Sequence, residues 1–92
     1  MGANVLEAAY SDLSDIDRTF LLLMAQDDGP SKTRDIAERL NVTKGYMQMY
    51  RRRLLDSGVI QVAGHGEIDF AVPQFREFLR EQAAYRFQLR LP

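Results

Sequence analysis

The sequence predicts a mainly helical domain with one small β-hairpin: a three-helix core, a two-stranded hairpin and an additional C-terminal helix. Three observations predict it. Apolar residues recur at helical spacing in separate stretches, each opened by a residue suited to capping. The stretch 41–58, NVTKGYMQMYRRRLLDSG, reads as one helix with a capped start and a glycine stop. Directly after it, two runs rich in apolar residues flank Gly64, His65 and Gly66, the pattern of a tight turn between strands.

Ninety-two residues suffice for one small domain with a modest core. The domain is expected over 13–84, after a lead-in at 1–12 and before a tail at 85–92. The absence of cysteine excludes a disulfide frame and thiolate metal sites, and a single histidine excludes a multi-histidine site, so no cofactor or metal is expected. No apolar run approaches the roughly 18 residues of a membrane span. The first residues, MGANVLEAAY, lack the basic region and long apolar core of a signal peptide. A cytoplasmic location is the resulting expectation.

Net charge is only −1, but its distribution is uneven. One basic residue faces six acidic ones up to Pro30. Between Ser31 and Gly66 seven basic residues face three acids, and from Glu67 onward the two are balanced. The positive excess of the middle third sets a local field that the total conceals.

The elements follow in order. Residues 4–10 are weakly amphipathic and suit a helical lead-in. Ser14 is a good cap for a helix whose first turn holds Asp15 and Asp17 at the positive end of the dipole. Leu13, Ile16, Phe20, Leu23 and Met24 form its core stripe, and Leu21 and Leu22 extend the apolar surface beyond one side. Residues 27–30, DDGP, break the chain. Ser31 or Thr33 is expected to cap a short helix through Leu40, with Ile36, Ala37 and Leu40 inward. Asn41, Val42 and Thr43 make a tight turn, and Thr43 caps the next helix, about 44–57, which Gly58 stops. At about 100° per residue, Met47, Tyr50, Arg51 and Leu54 share its inner face. Gly45, Met49, Arg52 and Asp56 lie opposite, and Gln48 and Arg53 flank them. Strands are expected at 59–63 and 67–72, with Ile68 and Phe70 on one face and a positive φ at the turn glycines. Pro73 ends the second strand, and 74–84 form the last helix, with Phe75, Phe78 and Leu79 inward. In the tail, Tyr85, Phe87, Leu89 and Leu91 alternate with Arg86, Gln88 and Arg90. That period fits either a continued helix or a strand-like arm docking on a partner.

Two segments carry a resemblance. Residues 35–43, DIAERLNVT, look like the IA-x-x-L-x-V-S/T signature of bacterial helix-turn-helix proteins. Residues 53–60, RLLDSGVI, are similar to the exit from their recognition helix. At this spacing, and followed by a glycine-rich hairpin, they resemble a winged helix-turn-helix over roughly 13–72. A narrower likeness, carried by 50–54 (YRRRL), 70–73 (FAVP) and the Phe-rich helix, is to the C-terminal winged helix of bacterial AAA-type, origin-recognition-like ATPases. No G-x-x-x-x-G-K-[ST] stretch is present, so no nucleotide site is expected here.

The resemblance implies a non-catalytic module for double-stranded DNA, either a transcriptional regulator or an accessory domain tethered to an ATPase. The N-terminal half of the recognition helix would read bases through Thr43, Lys44, Gly45, Tyr46, Gln48 and Met49. Gln48 suits adenine, Lys44 guanine or phosphate, and Tyr46 or Met49 a thymine methyl, while Gly45 permits close backbone approach. Arg52 and Arg53 suit flanking phosphates, and Ser31, Lys32 and Thr33 suit a phosphate at a helix N-terminus. His65 replaces the Arg or Lys common at wing tips, which makes it a weak anchor. Structural roles compete: Tyr46 as cover for the core edge, Arg52 and Arg53 as a solvated face, His65 as a plain turn. Arg51 is expected to pair with Asp17 or Asp35. The alternative function is protein–protein interaction, including a homodimer through the first core helix, the last helix and the tail. No Ser/His/acid or metal-ligand cluster assembles from the sequence, so no enzyme is expected.

Overall fold

The computed structural model describes residues 5–90, with side chains described through Tyr85. Among the described residues the chain runs α1 (Val5–Ser11), α2 (Asp15–Met24), β1 (Ser31–Lys32), α3 (Thr33–Leu40), α4 (Lys44–Ser57), β2 (Ile60–Gly64), β3 (Glu67–Phe70) and α5 (Phe75–Arg90). It is mainly helical, with a small antiparallel sheet in the order β1-β3-β2. No described helix is long and apolar enough to cross a membrane.

The helix boundaries follow local chemistry. Ser14 Oγ accepts from Asp17 N at 3.3 Å and starts α2. Thr43 Oγ1 accepts from Tyr46 N at 3.3 Å and starts α4. Gly58, at φ 84°, ends it in the left-handed region. Asn41 ends α3 at φ 58°, a conformation asparagine tolerates better than most residues. The core gathers Phe20, Leu21 and Met24 of α2, Ile36 of α3, Met47 and Leu54 of α4, Ile60 and Ile68 of the sheet, and Phe75 and Leu79 of α5. Leu21 is fully buried and Leu23 only partly, because α2 is covered on more than one side. The lead-in joins this core through Tyr10, whose ring meets Phe78 edge-on at 5.7 Å.

Several expectations need correction. Neither Ser31 nor Thr33 caps α3. Lys32 takes the cap position without a side-chain bond, since Ser31 and Lys32 form a third strand paired with Ile68 and Glu67 of β3. The hairpin is therefore one side of a three-stranded sheet. β2 runs from Ile60 to Gly64, with a register irregularity between Val62 and Gly64, and only Gly66 of the two turn glycines takes a positive φ, 69°. Gln74, expected to open the last helix, lies before it at φ 68°. The strand reading of the tail also fails, because α5 continues to Arg90: a helix already running supplies its next hydrogen bond locally. The alternating side chains from Arg86 onward, together with Leu91 and Pro92, lie outside the described residues.

The break between α2 and β1 is fastened from two directions. Asp27 accepts from the Ser31 hydroxyl at 2.7 Å and from both terminal nitrogens of Arg39 at 3.1 and 3.0 Å. The hydrogen bonds from Arg39 hold the Asp27 carboxyl below its usual range, and the bond from Ser31 assists, against the opposing effect of burial. From α5, Arg80 donates to Ala25 O at 2.7 Å and to Asp28 at 2.9 Å, while Arg76 donates to Gly29 O at 3.1 Å and Asp69 at 2.6 Å. The aspartates at 27 and 28 are thus structural anchors.

Candidate nucleic-acid interface

Four residues after the turn at 41–43, α4 buries Met47, and one further seam residue, Leu54, is buried near its end. The opposite stripe of Gly45, Met49 and Arg52 is exposed, and so are Lys44, Tyr46 and Gln48 on its flanks. Met49 is 50% and Tyr46 55% exposed, large values for apolar side chains in a domain this small. A Cβ added at Gly45 would meet only Thr43 Oγ1, at 3.9 Å, so nothing in the fold requires glycine there.

Tyr46 is held from behind. Its ring stacks on Tyr50 with centroids 6.2 Å apart and planes 21° apart. The Arg53 guanidinium lies 5.4 Å from the Tyr50 centroid and grips Asp17 of α2 through Nε (3.1 Å) and Nη2 (2.7 Å). The Asp17 side chain is only 7% exposed, against 47% for Arg53. The hydrogen bond to Asp17 raises the Arg53 pKa further above its already high value. Here the structure corrects the sequence reading. Arg53 takes Asp17, and Arg51 makes no ion pair among the described residues. Helical phase placed Arg51 nearer the core, yet the Asp17 carboxylate is met by Arg53, whose long side chain reaches it from a half-exposed position.

Beside α4 lies an open groove of about 700 Å³. The start of α3 supplies Lys32, Thr33 and Arg34, α4 supplies Lys44, Met47 and Gln48, and the hairpin supplies His65, Gly66 and Glu67. Thr33 N donates to Gly66 O at 2.9 Å, which draws the hairpin turn against the start of α3 and closes one end. Thr33 Oγ1 is buried with no hydrogen-bond partner among the described residues.

Of the residues proposed from sequence, Lys32, Thr33, Lys44, Gln48 and His65 line this groove. Gly45, Tyr46, Met49 and Arg52 form the exposed outer side of α4, and Thr43 is its cap. Ser31 does not join them: it is buried in β1 with its hydroxyl committed to Asp27. Arg53 is committed to Asp17. Sequence reasoning missed Arg34 and Glu67 as groove residues. The Lys32-x-Arg34 spacing at a helix start is the signal that points to Arg34; for Glu67 only the folded hairpin does so.

The charge pattern is sorted by partner. Arg18, Arg39, Arg53, Arg76 and Arg80 are in ion pairs. Among the described side chains, Lys32, Arg34, Lys44, Arg51 and Arg52 are in none: Lys32 ends β1 at the cap position of α3, Arg34 lies in the first turn of α3, and the other three lie in α4.

A small helical domain with a three-stranded sheet and an unpaired cationic surface on two adjacent helices is the class these features define. The chain belongs to the family described as Domain of unknown function (DUF8462), whose model matches residues 3–79. No curated protein and no solved structure matches the chain.

Proposed function

We propose that this domain is a non-catalytic winged helix-turn-helix module that binds double-stranded DNA, with α4 in the major groove and the start of α3 on the phosphate backbone. The carrying observation is the segregation of cations: those outside ion pairs cluster on α3 and α4, where phosphate neutralisation needs them. The element order, α2, β1, α3 and α4 followed by the β2–β3 hairpin, with the strands paired as β1-β3-β2, supports the winged-helix reading. Glu67 in the groove and His65 at the turn weaken the hairpin as a phosphate anchor, so the isolated domain binds weakly and gains from a second copy or a tethered partner.

Titration of a mixed-sequence duplex at increasing salt tests this. Binding should appear near 50 mM salt and fall with a log–log slope of about −3 to −4, for roughly four phosphates neutralised. Replacing Arg51 and Arg52 with alanine should reduce that slope by about two. Absence of binding at low salt, or a slope unmoved by the double variant, removes the proposal. A second reading, protein–protein interaction, is favoured by the shallow groove between α2 and α5, where Leu22, Leu23, Leu79 and Ala83 meet.

A further inference from the structure

Resting on that DNA-binding reading, we infer that α4 selects duplexes whose major groove carries pyrimidine 5-methyl groups, which in ordinary DNA means A·T-rich sites. The outer side of α4 changes in character along the helix. Its N-terminal half offers two exposed apolar side chains, Tyr46 and Met49, one amide, Gln48, and a bare backbone at Gly45. Neither Tyr46 nor Met49 belongs to the core or to its packed margin. Leaving such side chains in water has a free-energy cost that burial against an apolar partner recovers.

The arginines are elsewhere. Guanine is most often read by a guanidinium paired with O6 and N7. On α4 the guanidinium groups begin only at Arg51, beyond the half that faces base edges in helix-turn-helix docking. Lys44 lies on the flank that lines the groove beside Lys32 and Arg34, a position suited to phosphate. Gln48 lines the same groove one turn further along, so what remains at the base edges is apolar surface with this amide at its margin. Thymine alone among the ordinary bases offers an apolar group in the major groove, and Gln48 complements its adenine partner through N6 and N7. The stack of Tyr46 on Tyr50, backed by Arg53 on Asp17, fixes the Tyr46 ring before binding, so less rotamer freedom is lost on contact.

The test compares alternating dA–dT duplex with the same duplex carrying deoxyuridine for thymidine, and alternating dG–dC duplex with and without 5-methylcytosine, at one low salt concentration. Loss of a contacted methyl should weaken binding about fourfold per methyl, as expected for a group of that size leaving contact. Methylating cytosine should strengthen it. Met49→Ala and Tyr46→Ala should each reduce the thymine-over-uracil ratio towards one while keeping the salt slope, and Met49→Ala, at an exposed position outside the core, should also keep the thermal midpoint. Equal affinity for the thymine and uracil duplexes, with salt-dependent binding to both, overturns this inference and leaves DNA binding standing. A preference that persists undiminished in both variants also overturns it, since DNA shape would then be the source. Binding to none of the four duplexes overturns both readings.

Discussion

Arg53 shows how one side chain joins the core to the exposed face. It satisfies a buried carboxylate on α2 and backs the aromatic pair on α4. Removing it leaves Asp17 buried without its charged partner, which costs more than losing the bond alone. Arg53→Ala should lower unfolding stability by about 2 kcal/mol in urea titration. Arg52→Ala, one residue earlier and outside any described ion pair, should stay within about 0.5 kcal/mol of the parent. Equal losses for the two would show that the Asp17 pair contributes nothing. The sequence pointed to an arginine of this cluster pairing with Asp17, but phase alone misassigned it to Arg51. A single helix carries no information about which flank its neighbour covers.

At the scale of elements, the starts of α2 and α4 and the stop of α4 were legible because each rests on local chemistry: Ser14 to Asp17, Thr43 to Tyr46, Gly58 in its left-handed turn. β1 was not legible. Two residues carry no period, and their partners, Ile68 and Glu67 of β3, lie beyond two intervening helices. The same residues explain the failed cap, since the backbone at 31–32 is engaged by the sheet. Within α4, Gly45 lowers helix stability without any packing need. Gly45→Ala should therefore raise stability by about 0.5 kcal/mol in thermal unfolding. If the backbone of α4 approaches DNA as proposed, the added methyl weakens duplex binding severalfold in the same protein. Unchanged affinity would place the contact elsewhere on the helix.

For the whole molecule, the order of the helices and the hairpin and most of the core could be read from sequence, because apolar spacing, caps and turns act over a few residues. The candidate interface was legible as a set of residue types but not as a surface. Its definition depends on which arginines are consumed by Asp17, Asp27, Asp28 and Asp69, and these partners lie from 7 to 52 residues away in the chain. The closure of β1 onto β3 has a kinetic consequence. Ser31 meets Ile68 only after the intervening segment has been drawn into a loop, and the entropy of that closure is offset late. The strand should form after the rate-limiting step, with the helices docking first. Ser31→Ala, which also severs the bond to Asp27, should then speed unfolding and leave the refolding rate unaltered in stopped-flow chevrons. Slowed refolding would instead put the strand in the nucleus. On this pathway the groove is the last part of the molecule to acquire its shape, because the bond that closes it, Thr33 N to Gly66 O, adjoins that strand.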